Sequence, residues 1–248
     1  MDKKSNIVAI IQTRMGSERL FGKVLMDISG KPMLWHVINR IKNSKYINKI
    51  IIATTTVKDD DRIEDFCKTY KVDFYRGSES DVLDRYYQAS RIWNADIIVR
   101  ITSDCPLIDP EVSDKVIYSY LKNENNFNGS SNVIKRTYPR GLDTEVISFS
   151  TLKKVWDDAE KDYQREHVTI YIYEHTRQFK LYSVENNENL AHYRWTVDEE
   201  RDLKFVREIY KFLYQEENIF LMKDILSLLE MKPYLKDINK DIEQKNLK

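Results

Sequence analysis

The chain has 248 residues, enough for one large α/β domain or two small ones. Its 40 basic and 40 acidic residues balance, which argues against a broad electrostatic footprint for nucleic acid or an anionic membrane. Two cysteines, Cys67 and Cys105, give neither a disulfide framework nor a zinc cluster and fit a reducing cytosol.

The start, Met1-Asp2-Lys3-Lys4, leads into a short apolar run, 7–11. That run is too short for a signal-peptide core or a membrane span, so a soluble, cytoplasmic protein is expected. The run reads instead as a buried β-strand. The segment 12–23 follows it and carries Arg14, Arg19 and Lys23 between Gly16 and Gly22. Pro32 fits the first position of a helix in which Leu34, Val37, Ile38 and Ile41 share one face. A second strand is expected at 50–53. Asp59-Asp60-Asp61 then precedes the helical spacing of Ile63, Phe66 and Tyr70. A third, short strand spans 72–75. Ser80-Asp81 opens a helix with Leu83, Tyr86, Tyr87 and Ala89, and a fourth strand runs over 97–101. These β-branched, continuous apolar runs suit strands covered on both faces. Asp109-Pro110-Glu111 is a helix start with Asp109 as cap.

The pattern loosens after about residue 122. The stretch 123–131 is rich in Asn, Gly and Ser and reads as a turn or loop. A strand at 144–149, a helix from 150 or 151 to 159 and a helix over 166–175 follow. Two further strands are expected at 179–184 and 193–197. Leu203, Val206, Ile209, Tyr210 and Leu213 mark a strongly periodic helix. The expected fold is a three-layer α/β/α sandwich with a mostly parallel sheet and right-handed crossovers. It forms a single domain over 1–248, with an inserted arm at about 130–190 and a flexible tail at about 236–248.

The cationic segment is the most informative feature. Ligands of open α/β sheets bind at the carboxyl ends of the strands. Several cations beside backbone N–H groups there suit a polyphosphate. It is not a phosphate-binding P-loop: five residues separate Gly16 from Gly22, and Val24 follows Lys23. Asp104 lies just past the fourth strand, on the same sheet edge, and reads either as a divalent-cation ligand beside the polyphosphate or as a turn aspartate. Asp198 follows a strand candidate and reads either as a second ligand or as a helix cap. Asp59-Asp60-Asp61 is a literal D-x-D, but acidic residues before a helix favour its dipole. The four histidines lack zinc-ligand spacing. Glu166-His167 suits either a substrate pocket or an exposed helix face. Arg136, Arg140, Asp143 and Glu145 suit recognition of a polyol or an anion, or else a salt-bridged arm at a dimer contact.

Residues 12–23 resemble the R-x-x-S-x-R-L-P-G-K loop of the cytidylyltransferases that make CMP-activated acidic sugars, the acylneuraminate and 3-deoxy-manno-octulosonate enzymes among them. The likeness is strongest to the subgroup of spore coat polysaccharide biosynthesis protein F. Segments 76–86, 100–109, 138–145, 165–169 and 194–198 match that subgroup's motifs in order, so the likeness covers about residues 6–215. The resemblance implies a nucleotide-diphospho-sugar transferase fold, Rossmann-like and related to the GT-A architecture, usually dimeric through its arm. It implies CTP and Mg2+ as well, and an acidic sugar acceptor used in surface polysaccharide or glycan synthesis.

Carried over by position, Arg14 and Lys23 contact the triphosphate and serve catalysis. Gln12, Ser17 and Arg19 belong to the same nucleotide-binding loop. Asp104 and Asp198 match the metal ligands. Ser78 and Asp81 border the base and ribose. Arg140, Asp143, Glu145, Glu166 and His167 fall on the sugar side. Phe21 departs from the family's proline and leaves φ unfixed there. The expected reaction is cytidylyl transfer from CTP to the acceptor with release of pyrophosphate. A metal-dependent glycosyltransferase using Asp59–Asp61 and a non-catalytic sugar-nucleotide-binding protein are the rival readings.

Overall fold

A computed structural model describes residues 5–243. Strand β1 (Ile7–Gln12) is buried along almost its whole length, with Ala9 and Ile11 facing one core and Val8 and Ile10 the other. This two-sided burial explains its unbroken apolar run. A two-stranded ribbon, β2 (Asp27–Ile28) and β3 (Lys31–Pro32), then leads into helix α1 (Met33–Ile41). Strand β4 (Lys49–Thr55), helix α2 (Asp61–Tyr70), strand β5 (Asp73–Gly77), helix α3 (Val82–Ile92) and strand β6 (Ile97–Thr102) continue the alternation. Helix α4 (Pro110–Asn123) begins at the predicted cap, where the Asp109 carboxylate accepts from the backbone N–H groups of Glu111 and Val112. After it come β7 (Gly129–Ser131), β8 (Glu145–Ser148), α5 (Phe149–Asp158), α6 (Asp162–Glu166), α7 (Ile170–Glu174), β9 (Leu181–Ser183), α8 (Glu200–Leu213) and α9 (Met222–Met231).

The sheet order is β5-β4-β1-β6-β8-β7-β9. Strands β5, β4, β1 and β6 are parallel, β8 is antiparallel to both β6 and β7, and β9 is parallel to β7. Helices α1, α2, α4, α8 and α9 cover one face through residues such as Leu34, Ile63, Val116, Val206 and Leu229. Helices α3, α5 and α7 cover the other through Leu83, Tyr86, Leu152 and Ile172. The expected three-layer, mostly parallel α/β architecture is therefore present.

Several elements depart from the sequence reading. Within the expected loop 123–131, Gly129–Ser131 forms a strand of polar and small residues between β8 and β9. Its glycine is required: a Cβ there would lie 2.3 Å from the Val146 carbonyl oxygen. Residues 130–190, expected as an arm, place β7, β8 and β9 in the main sheet. The helix expected over 166–175 is broken into α6 and α7 at His167–Thr169. Residues 193–197 are not a strand; a single bridge joins Arg194 to Arg140. Helix α9 was not anticipated. The tail expected to be flexible from about 236 is anchored as far as Asn239. That side chain is buried and donates to the Arg194 carbonyl oxygen and to Asp202, each at 2.9 Å. Residues 244–248 of that expected tail lie outside the described ones.

Candidate active site

The carboxyl ends of β1 and β6 open into a cleft of about 550 Å³. The loop after β1 forms one wall, and its shape follows from a few buried anchors. Thr13 donates its backbone N–H to the Ala53 carbonyl, continuing the ladder to β4. Met15 is buried, donates its N–H to the Asp60 carboxylate at 2.7 Å, and accepts from the N–H groups of Ser17 and Gly22. Gly22 closes the turn with φ +69, and a Cβ there would press on the Met15 methyl at 2.9 Å. A short 3-10 turn, Lys23–Leu25, then turns Lys23 inward.

Lys23 is only 8% exposed. Its Nζ donates to Asp104 Oδ2 at 3.2 Å, to Asp198 Oδ1 at 3.0 Å and to the Val197 carbonyl at 2.6 Å. Burial disfavours the ammonium, but the two carboxylates outweigh it and hold its pKa above the usual lysine value. Burial likewise opposes ionisation of Asp198, yet Lys23, with Arg19 and Arg194, holds that carboxyl below its ordinary range. Arg19 Nη2 lies 3.1 Å from Asp198 Oδ2, and Arg194 Nη2 lies 2.8 Å from the same oxygen.

Asp198 is not the cap of α8. The Asp202 carboxylate accepts from the backbone N–H groups of Asp198 and Glu199 and also pairs with Arg194 Nε at 2.9 Å. Buried Asp202 thus fixes the segment that presents Asp198, and both oxygens of Asp198 point at cations of the cleft. Asp104 is set by its own backbone: its carbonyl accepts from Val197 N at 2.8 Å, which stitches the two carboxylate-bearing segments together.

Gln12, Arg14, Ser17, Arg19, Lys23, Asp104 and Asp198 all line this one cleft. So do Arg140, Asp143, Glu166 and His167. Glu145 does not; it is buried and ion-paired with Arg100 across the β6–β8 pair, and it accepts from the Tyr173 hydroxyl at 2.5 Å. Its expected place in the sugar-side pocket is corrected accordingly: Arg100 faces the cleft and Glu145 holds it there. Asp143 is bidentate to Arg136, at 2.6 and 2.7 Å. Ser78 and Asp81 are not in the cleft wall. The Ser78 hydroxyl accepts from Asp81 N, while Asp81 caps α3 and pairs with Arg165 Nε at 2.7 Å. Val82 and Arg85, on the helix that Asp81 caps, reach the cleft instead.

Sequence reasoning missed Asp60, Arg85, Arg100 and Asp202. Asp60 is the middle member of the acidic triplet that was read as a helix-dipole feature. It is buried, and its other carboxylate oxygen accepts from Thr54 Oγ1 at 3.0 Å, Thr55 N at 3.1 Å and Thr55 Oγ1 at 2.5 Å. Arg100 carried a signal, since a lone arginine inside an apolar strand needs a partner. Arg85 sits in the quoted 76–86 segment, but only the three-dimensional structure shows that it is buried.

A cationic loop facing two carboxylates at the carboxyl edge of a parallel sheet, in this strand order, defines a nucleotidyltransferase. Comparison with known proteins agrees. The chain matches the cytidylyltransferase family over residues 8–246 and belongs to it. It is 40% identical to an uncharacterized protein of Methanocaldococcus jannaschii, over 97% of both chains. It is 30% identical to the spore coat polysaccharide biosynthesis protein SpsF of Bacillus subtilis, over 92% of this chain and 96% of that one. The structure of a cytidylyltransferase from Leptospira borgpetersenii superposes with a TM-score of 0.88 at 30% identity, covering 98% of this chain and 99% of its own. A CMP-2-keto-3-deoxy-manno-octonic acid synthetase in complex with CTP shares the fold, with a TM-score of 0.66 at 18% identity over 84% of this chain and 99% of its own.

Proposed function

We propose that this enzyme transfers the cytidylyl group of CTP to an oxygen of an acidic sugar or similar small acid, releasing pyrophosphate, in the supply of activated sugars for a surface glycan. The observation that carries this reading is the bridge from Lys23 to both Asp104 and Asp198, made from the loop that also carries Arg14 and Arg19. Family membership supports CTP as the donor. Arg100, Arg140 and His167, which line the same cleft, supply cationic or hydrogen-bonding groups to an anionic acceptor.

In this reading the acceptor oxygen bonds to the α-phosphorus, and the bond to the α–β bridging oxygen breaks. Arg14 donates to the departing pyrophosphate, and the positive charges of Arg14 and Lys23 offset the charge that grows there as that bond lengthens. The cleft holds acceptor and nucleotide in line, so much of the rate comes from positioning. Arg19 and Arg194 keep Asp198 oriented, and Asp202 keeps its backbone in place.

Asp104 and Asp198 fit a magnesium site. Both are hard oxygen donors, and magnesium is commonly held by one or two carboxylates with substrate phosphates completing its shell. Bound there, the ion would neutralise phosphate charge and polarise the α-phosphoryl group. Nothing favours a glycosyltransferase that uses Asp59–Asp61: neither outer aspartate of that triplet lines the cleft, and Asp61 pairs with Arg76 at 2.7 Å.

The test is a nucleotide-by-acceptor screen with magnesium that reads pyrophosphate and nucleoside diphosphate separately. Pyrophosphate from CTP and an acidic sugar supports the assignment. A nucleoside diphosphate product, or tight CTP binding with no turnover on any acid, sinks it.

A further inference from the structure

The Lys23 ammonium has three N–H groups, and all of them are spent: on Asp104 Oδ2 at 3.2 Å, on Asp198 Oδ1 at 3.0 Å and on the Val197 carbonyl at 2.6 Å. The other oxygen of Asp198 faces the guanidinium groups of Arg19 and Arg194, at 3.1 and 2.8 Å. Asp198 is therefore surrounded by three cations. Asp104 is the more open of the two carboxylates, with a side chain 26% exposed against 14%. Its second oxygen meets the Cys105 thiol at 3.5 Å. Charge is compensated locally in this arrangement, so the pair offers a further cation little unbalanced negative charge. A phosphate oxygen, likewise, gains an N–H of Lys23 only when one of the present acceptors gives it up.

A magnesium ion held by Asp104 and Asp198 would draw on the oxygens that this ammonium engages. Two cations sharing one pair of carboxylates repel each other at close range, and the burial of Lys23 weakens the screening by water. We propose that Lys23 is an exchangeable counter-ion of the Asp104–Asp198 pair: it holds the divalent-cation position until nucleotide phosphates draw its ammonium away, so that metal and nucleotide bind together and the metal binds poorly alone. The nucleotide serves both halves of the exchange. Its phosphate oxygens replace the carboxylates as acceptors for Lys23, and their charge compensates the arriving dication. The flexible four-carbon stem of a lysine suits such a move better than the rigid planar fork of an arginine. By linkage, metal and nucleotide then raise each other's affinity. The inference rests on the magnesium site proposed above and adds the residue that makes metal binding conditional on nucleotide.

The experiment titrates manganese, a paramagnetic stand-in for magnesium, into nucleotide-free protein and reads the free ion by electron paramagnetic resonance. Wild type is compared with Lys23→Met, Lys23→Gln and the double variant Lys23→Met/Asp104→Asn, and the wild-type titration is repeated with CTP. Nucleotide-free wild type should bind manganese weakly. Lys23→Met should bind it on the order of tenfold tighter or more, since an uncompensated carboxylate pair then faces the ion. The double variant should lose that gain. The melting temperature in magnesium alone should rise for Lys23→Met and stay nearly flat for wild type, because an ion that binds the folded state stabilises it by mass action. Lys23→Gln, which keeps an N–H for the Val197 carbonyl, reports on the same question if the methionine variant does not fold. Manganese affinity in the single variants equal to that of wild type would overturn the proposal. So would tight binding to nucleotide-free wild type, or a gain that survives Asp104→Asn. Wild-type protein that forms no complex with manganese and CTP together would refute the magnesium and CTP assignment itself, which that arm alone reveals.

Discussion

The Asp60 carboxylate accepts the backbone N–H of Met15 at 2.7 Å from below the cationic loop, and its second oxygen gathers Thr54 and Thr55. One buried side chain therefore ties the cationic loop to the end of β4. Asp60→Ala leaves these donors unsatisfied and should cost about 2–4 kcal/mol of unfolding free energy. The loop should loosen with it. Denaturant midpoints give the first effect and the CTP dissociation constant the second. A variant with wild-type stability and affinity would show that the loop holds its shape without this anchor.

Lys23→Ala removes the donor that spans Asp104 and Asp198. Turnover should drop on the order of a hundredfold, the scale of losing one preorganised donor at a site of developing charge. The two carboxylates then face each other without their common counter-charge, so the unliganded protein should also be less stable. Steady-state pyrophosphate release, with thermal unfolding alongside, separates the two effects. Turnover equal to the wild-type rate would take Lys23 out of the chemistry.

Asp104→Asn keeps the shape of the side chain and removes its charge. Magnesium-dependent turnover should be abolished, while the Val197 N–H bond to the Asp104 carbonyl holds the backbone in place. A magnesium titration of activity decides the point. An unaltered magnesium response in the variant would leave Asp104 only a structural partner of Lys23.

The parallel half of the fold was legible because burial on both faces writes itself into unbroken runs such as 7–11. The cationic loop was legible because its position after the first strand gives its charges a purpose. The antiparallel extension was not, because Gly129–Ser131 is short, small and polar; what makes it a strand is the close passage of the Val146 carbonyl, which only glycine tolerates. Trp195 and Val197 gave a strand-like pattern, yet they are buried in the hydrophobic core with only a single bridge, Arg194 to Arg140, pairing their segment. Glu145 was misplaced for a related reason. Strand alternation gives a direction along the chain but says nothing of an arginine waiting on the neighbouring strand.

Gly141 has φ +104, and a Cβ on it would lie 2.6 Å from the Trp195 carbonyl carbon and 2.8 Å from Thr196 N. Both atoms belong to the Trp195–Thr196 peptide, and backbone cannot swing away as a flexible side chain could. Gly141→Ala should destabilise by at least roughly 2 kcal/mol, combining backbone strain with overpacking. It should also raise KM for the acceptor more than KM for CTP, because Arg140 and Asp143 flank the displaced turn. Equal changes in both KM values would place Arg140 outside the acceptor wall.

His36 is buried against Tyr210 and Tyr214, and its Nε2 lies 2.6 Å from the Ile28 carbonyl, where the neutral ring donates. Burial pushes its pKa down to about 4, against an ordinary 6.5. The unfolded chain therefore binds a proton that the folded chain refuses. Stability from this group is fully present above about pH 6.5 and falls as the pH drops from there toward 4. The slope in that window is about 1.4 kcal/mol per pH unit, to a total of roughly 3 kcal/mol. Urea unfolding at pH 7.5, 6 and 5 should show this loss in the wild-type protein. In His36→Gln, whose amide still reaches the Ile28 carbonyl, the loss between pH 6.5 and 5 should shrink by about 1.5–2 kcal/mol, the part of the total that falls in that window. Parallel curves for the two proteins would mean that His36 accepts its proton without leaving the core.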